Sequence, residues 1–371
     1  MSRLLAAWIA RIAAALLPLA MRDWGRAMVA ETEAIGRAAP ALRFALGCLR
    51  TALSLRFPLF AGQEPPMSLP LSLFDRPRRF AAICAAGAVG LGFLFMAMAG
   101  APASYLAMNG AAFALGLLTL GALREAGRLG VVPAGAISLS LSGALLLVSL
   151  MGVSAEGVTR WLAVGGVLLQ PSLIVIPALA LNLARSRDGL SVLAVIIAAL
   201  ALALQPDRAM AGALASAMAA LALARHDRGV VVALAAALLA FAVTMIRPDA
   251  SPAMPYVDQI FFSSFAVHPL AGLAVTGGAA LLLAPALVGL ARDPGHRPFH
   301  AVFGAVWLAV IAAAALGNYP TPLVGYGGSA ILGYLISLIG LPARAETAKV
   351  GERGTEEEAA AENGSLRASL A

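Results

Sequence analysis

Charged side chains are scarce in this chain: 12% of its 371 residues are Asp, Glu, Lys or Arg, against 61% hydrophobic. Those that break the apolar runs gather in a few places. Arg160 and Trp161 precede Gln170-Pro171-Ser172, and Asp207-Arg208 follows Gln205-Pro206. Arg247, Asp249, Tyr256 and Asp258 share a Pro-rich stretch, and Tyr326 and Ser329 bracket a Gly pair. Arginine is a permanent cation with five donors in a fixed fork, the chemistry of phosphate and diphosphate binding. A carboxylate such as Asp249 or Asp258, held within hydrogen-bond reach of a hydroxyl, takes its proton as a general base. An ordinary helix cap accounts for Asp258 as well. Asp207 has Arg160 and Arg208 as natural partners, unless those two cations face an anionic lipid head group instead.

The elements that must position these groups follow from hydropathy. Mean hydropathy is +0.88, and a soluble protein would carry roughly twice this charged fraction. Such a chain belongs in a bilayer, where a span needs about 20 apolar residues. Ten runs qualify: 80–99, 103–123, 134–152, 167–184, 189–205, 209–224, 229–246, 264–290, 299–317 and 323–341. The expectation is therefore an all-α, polytopic integral membrane protein of about ten helices. Their Ala- and Gly-rich sequence favours close backbone approach.

Arginines mark one set of alternate loops: Arg76, Arg78 and Arg79, then Arg124 and Arg128, Arg185 and Arg187, Arg225 and Arg228, Arg292 and Arg297, and finally Arg344. The other set carries only Arg160, Arg208 and Arg247. The positive-inside rule then puts both termini in the cytoplasm and the unusual motifs outside. The net charge of +7 is scattered between spans rather than gathered on one face, which argues against nucleic acid.

Ahead of the spans, residues 1–60 have helical spacing with a mixed charged face and read as interfacial amphipathic helices, lying on lipid or docking a partner. Residues 61–79 read as a linker, 80–341 as the membrane domain and 342–371 as a disordered tail. Cys48, Cys84 and the four histidines have no metal-ligand spacing. His268 reads as a packing histidine near a span end.

Three motifs in order carry a family resemblance: Gly157-x-x-Arg160-Trp161 with Gly165-Gly166-x-x-x-Gln170-Pro171-Ser172, then Gln205-Pro206-Asp207, then Pro322 to Ser329 with Tyr326-Gly327-Gly328-Ser329. Together they resemble the SEDS family, the polytopic cell-wall polymerases of shape, elongation, division and sporulation, over roughly residues 79–341. The resemblance implies ten spans with cytoplasmic termini in the bacterial inner membrane. It also implies an inverting glycosyltransferase that polymerises lipid II, a lipid-linked disaccharide, beside a single-span transpeptidase (a class B penicillin-binding protein). Inversion needs a base opposite the leaving group. The resemblance puts an essential Asp in the long outer loop, some six positions before a Gly-Tyr-Gln stretch whose nearest match is Tyr256 with Gln259, so Asp249, the closest carboxylate upstream, is the expected base.

With a lipid diphosphate leaving, arginines or a divalent cation would carry the developing charge. The expected substrate-binding set is Arg160, Trp161, Gln170, Ser172, Asp207, Arg208, Arg247, Tyr256, Tyr326 and Ser329, with Asp249 and Asp258 as catalytic candidates. The Gly-rich stretch at 325–328 either cradles phosphate or allows close backbone approach.

The chain departs from the family pattern at Leu173, where a Glu usually follows Gln-Pro-Ser, at Arg208-Ala209 in place of Gly-Thr, and at Gly325 in place of Ser. These changes leave two other classes open. One is a non-catalytic homologue that binds lipid carrier or scaffolds an envelope complex. The other is a transporter or lipid flippase, although the spans hold few of the midplane polar groups that transport needs, chiefly Asn109 and His268.

Overall fold

The structure, a computed structural model, describes residues 2–17, 21–56, 74–129, 133–155, 158–164, 167–186, 188–225, 227–247 and 252–344. Asp249, most of the expected linker and all but the first residues of the expected tail lie outside them. The chain divides into two units, Met1–Leu71 and Ser72–Ala371.

The first unit holds α1 (Ser2–Leu16), α2 (Arg22–Ala34) and α3 (Ala38–Arg56). Ala6, Ala10 and Ala13 recur on one face of α1, and Ala41, Ala45, Cys48 and Ala52 do the same on α3. These two stripes build the buried contacts between the helices. Residues expected as separate interfacial helices thus pack on one another. Trp8, Trp24 and Leu46 remain exposed.

The second unit is a helical bundle. Its helices are α4 (Pro77–Met98), α5 (Ala103–Leu129), α6 (Ala134–Met151), α7 (Pro171–Arg185), α8 (Gly189–Leu204), α9 (Arg208–Ala224), α10 (Arg228–Ile246), α11 (Ile260–Val267), α12 (Pro269–Arg292), α13 (Arg297–Leu316) and α14 (Gly328–Ser337). Six of them (α4, α5, α6, α10, α12 and α13) are long and apolar enough to cross a membrane unaided. The shorter apolar α7, α8, α9 and α14 pack among them. This is a multi-pass membrane protein with about ten spans, as the hydropathy implied.

Two boundaries differ from expectation. The run beginning at residue 264 is two helices: α11 ends at Val267, and α12 starts at Pro269 after an extended His268. His268 is no packing residue, because its Nδ1 accepts from Leu270 N at 3.1 Å as the N-cap of α12. Second, the stretch from 153 to 169 is a small antiparallel sheet rather than a bare loop. Its strands are β1 (Val153–Ala155), β2 (Val158–Val164) and β3 (Val167–Leu169), in the order β1-β2-β3.

Sequence chemistry fixes the helix ends. Asp188, Asp207 and Asp227 each accept a backbone N–H in the first turn of α8, α9 and α10, which satisfies a donor left orphaned at a helix start. At one end of the bundle, arginines cover the last carbonyls. Arg78 donates to Leu341 O and Ile339 O, Arg185 to Ile339 O and Gly340 O, and Arg225 to Ala184 O. Cations suit helix C-termini.

Small residues set the close approaches. A Cβ on Gly333 of α14 would sit 2.0 Å from Leu173 O on α7, and one on Gly92 of α4 would sit 2.7 Å from Val324 O. The second contact lets the 317–327 loop lie directly against α4 at the end of the bundle opposite these arginines.

Candidate functional site

At that end, loops from four parts of the chain meet. Thr321 N donates to Val257 O at 3.0 Å and Tyr326 N to Tyr256 O at 2.7 Å. The 252–259 segment is thereby laced to the 317–327 loop. Tyr256 (φ 63°), Gln259 (φ 56°) and Leu323 (φ 62°) all sit in the left-handed region, which L side chains avoid. Each such conformation costs about 1–3 kcal/mol and persists only where surrounding contacts hold it. Asn109, fully buried in α5, is one of those contacts. Its Nδ2 donates to Gly325 O at 2.8 Å and its Oδ1 accepts from Gly327 N at 3.1 Å. Tyr105, one helical turn earlier, stacks on Tyr326 with ring centroids 3.8 Å apart and meets Tyr256 edge-on.

These loops and the sheet enclose a cavity of about 520 Å³. Arg160 and Trp161 enter it from β2, Gln170 from the start of α7, Asp258 from the long loop, and Tyr326 and Ser329 from the Gly-rich segment. Arg160 is buried, and its guanidinium carbon lies 5.2 Å from the Trp161 ring centroid. A guanidinium held in place in such a cavity is positioned to meet an anion.

Asp258 is half-buried, and its Oδ2 accepts from Met254 N at 2.8 Å. Burial raises its pKa above the ordinary carboxyl value, while the Met254 N–H and the Arg160 charge pull it back down. A carboxyl so tuned is a better proton acceptor than a free aspartate.

Behind the cavity wall lies a polar cluster. Asp207 is fully buried. Its Oδ2 accepts from Gln170 Nε2 at 2.9 Å and Ser172 Oγ at 2.6 Å, and its Oδ1 accepts from Met210 N at 3.2 Å. Ser329 Oγ accepts from Gln170 N at 2.9 Å. One aspartate therefore caps α9 and fixes the rotamer of a side chain in the cavity.

The expected pairing of Asp207 with Arg208 does not occur. Arg208 Nη2 bonds Thr244 O and Arg247 O, and Arg247 Nη1 bonds Ala203 O and Leu204 O. Both residues belong to a different place from Arg160. The helix makes the separation: Asp207 is the N-cap of α9 and Arg208 its first residue, so the two side chains leave in different directions.

Of the residues singled out in the sequence, the fold thus gathers Arg160, Trp161, Gln170, Asp258, Tyr326 and Ser329 around one cavity. Ser172 and Asp207 stand one layer behind it, Tyr256 supports its loop, and Arg208 and Arg247 lie apart. Sequence reasoning passed over Tyr105, which lines the cavity, noted Leu173 there only as a departure from the family pattern, and gave Asn109 no role in it. Asn109 carried a signal, as a buried amide inside a span is costly unless fully bonded.

No family model matches the sequence, and no curated protein matches it. Among solved structures, the chain is similar to the rod shape determining protein RodA of Thermus thermophilus. The TM-score is 0.50 at 23% identity, with 71% of this chain and 94% of RodA covered. An Asp-to-Ala variant of the same RodA gives a TM-score of 0.49 at 22% identity, covering 71% and 95%. The fold is that of RodA.

Proposed function

We propose that this RodA-like bundle is a divergent SEDS-type glycosyltransferase. In this reading it sits in a bacterial inner membrane with both termini cytoplasmic, and its cavity opens on the outer face. It extends a glycan from lipid II, beside a single-span transpeptidase. The observation that carries the reading is the convergence of Arg160, Gln170, Asp258, Tyr326 and Ser329 on a single cavity of about 520 Å³ at the end of a membrane bundle.

In this mechanism an acceptor-sugar hydroxyl attacks the anomeric carbon of the donor sugar from the face opposite the lipid diphosphate. Asp258 takes the hydroxyl proton, the new glycosidic bond forms, and the C–O bond to the diphosphate breaks with its electron pair leaving on the diphosphate. Arg160 faces the charge that develops on the leaving group. Trp161 and the Tyr105–Tyr326 stack offer flat apolar faces for the sugar rings. Asp249, the base that the resemblance favours, lies outside the described residues and is the alternative to Asp258.

Among the described residues no three His, Cys, Asp or Glu side chains cluster as metal ligands. Asp258 is the one carboxyl group among the described cavity residues; engaged with the acceptor hydroxyl on the face opposite the diphosphate, it would not also hold a divalent cation on the leaving group, whose charge would fall to Arg160.

The test is polymerisation of lipid II by the purified full chain, alone and with a transpeptidase. Replacing Asp249 and Asp258 together by Ala lowers the rate by at least about 100-fold in this mechanism. Full activity in the double variant would remove it. A second reading, a non-catalytic binder of lipid carrier, is favoured by Leu173, an apolar residue on the cavity wall where the resemblance implies Glu. Saturable lipid II binding with no product in any condition would select it.

A further inference from the structure

A second cavity, of about 610 Å³, lies between α9, α10 and α13 and shares no lining residue with the first. Its wall is built from small and apolar side chains: Gly212, Ala215 and Ala219 on α9, Leu238 and Phe241 on α10, and Ala312 on α13. From Arg208 to Ala219 the α9 stripe runs eleven residues, or about 16 Å at the helical rise. That is close to half of a hydrocarbon core about 30 Å thick, the depth of one leaflet.

Cations stand at the open end of this trough. Arg208 lines it, and Arg247 lies alongside, tied to Arg208 through its carbonyl. Neither guanidinium bonds a carboxyl group among the described residues. Both hydrogen-bond only backbone carbonyls, from Thr244, Arg247, Ala203 and Leu204. Carbonyl bonds orient a guanidinium without neutralising it, so two cations that pair with no described carboxyl group stand at the rim. At a span end such cations reach the headgroup layer, where they attract anionic lipid.

From these observations we propose that the trough is a binding site for an anionic phospholipid. One acyl chain lies along α9 between α10 and α13, and the phosphate sits on Arg208 and Arg247. The match of one-leaflet depth, apolar wall and cationic rim selects this occupant, and the site is independent of the glycosyltransferase reading. A neutral lipid would fill the trough and leave the rim charge unmet.

Native mass spectrometry of the full chain in detergent tests this, with phosphatidylglycerol and phosphatidylcholine of identical acyl chains as probes. Wild type binds phosphatidylglycerol about tenfold more tightly. Arg208→Gln with Arg247→Gln brings the two lipids to parity, whereas the corresponding Lys pair keeps the preference. Ala312→Trp, which fills the trough, weakens both lipids. Should the Gln pair fail to fold, Arg208→Gln alone must reduce the preference and Ala312→Trp must reduce occupancy. Equal binding of the two lipids by wild type overturns the proposal, as does a preference that survives the loss of both arginines. Displacement of phosphatidylglycerol from the trough by a polyprenyl diphosphate at equal concentration would also overturn it, by assigning the trough to the substrate carrier.

Discussion

The two cavities lie on the same bundle, and residues adjacent in sequence serve both. Asp207 stiffens the wall of one through Gln170, and Arg208 heads the other. The first is made by loops and a small sheet, with polar side chains fixed by hydrogen bonds and with strained turns. The second is made chiefly by three regular helices, with Gly317 and Tyr319 of the 317–327 loop at one end, and owes its space to residues too small to fill it. Their difference separates two ways of making a site in a membrane protein. Chemistry needs several groups held at set distances, which irregular backbone supplies only where it lines a cavity. A lipid chain needs room and one charged end.

The sharpest way to break this comparison is at Asp207. Asp207→Ala removes the cap of α9 and strands the buried donors of Gln170 and Ser172, for a loss of about 3–5 kcal/mol. A thermal melt in detergent should fall well below wild type, and Arg208→Gln should stay near it. If the two variants melt alike, the polar cluster is not what stiffens the first cavity.

The next effect is on pH. Asp258 is raised mainly by burial and lowered by Arg160. As a base it must be deprotonated, so the rate falls as pH drops through its pKa. Removing the cation in Arg160→Met lets the pKa rise further, and the acid limb of kcat/KM moves to higher pH. The linkage has the opposite sense for stability. A raised folded pKa means that the folded state binds its proton more tightly. This contribution is present below the unfolded pKa and is lost as pH rises through the folded one. An acid limb that does not move in Arg160→Met would separate Arg160 from Asp258.

A smaller effect is expected at Asn109. Asn109→Leu leaves Gly325 O and Gly327 N without their partner, at a cost of about 1–3 kcal/mol. Hydrogen exchange at Gly327 should quicken while amides along α9 and α13 keep their protection.

How much of this was legible beforehand depends on which physics each residue obeys. The spans were, because burying backbone in lipid demands long apolar helices. The break at His268 was not, since 264–290 is uniformly apolar and only Pro269 hints at a new start. The sheet at 153–169 was hidden because three- to seven-residue strands give little periodicity. Grouping Arg160 with Gln170 and Tyr326 was possible from motif order. Placing Arg208 with them was not correct, because neighbours in sequence diverge around a helix axis. In the sequence Asp258 read as either a catalytic carboxylate or a helix cap, and only the meeting of the long loop with β2 brings it into the cavity with Arg160.

The smallest expected effect concerns the aromatic residues of the two sites. Tyr105→Leu removes a stack on Tyr326 worth about 0.5–1.5 kcal/mol beyond its buried area. Phe241→Leu in the trough removes a similar volume from a wall where Phe241 stacks on no ring among the described residues. Both variants should lose modest stability, Tyr105→Leu the more because of its stack, and they should differ in what they loosen. Because the 317–327 loop is held by Tyr105 and Asn109 together, Tyr105→Leu should raise exchange there and weaken binding of a sugar-bearing lipid a few-fold. Phe241→Leu widens a space that is already open, so the loop and sugar-lipid binding stay as in wild type. If Phe241→Leu disturbs that loop as much as Tyr105→Leu does, the two cavities act as one unit and the separation argued from their linings is wrong.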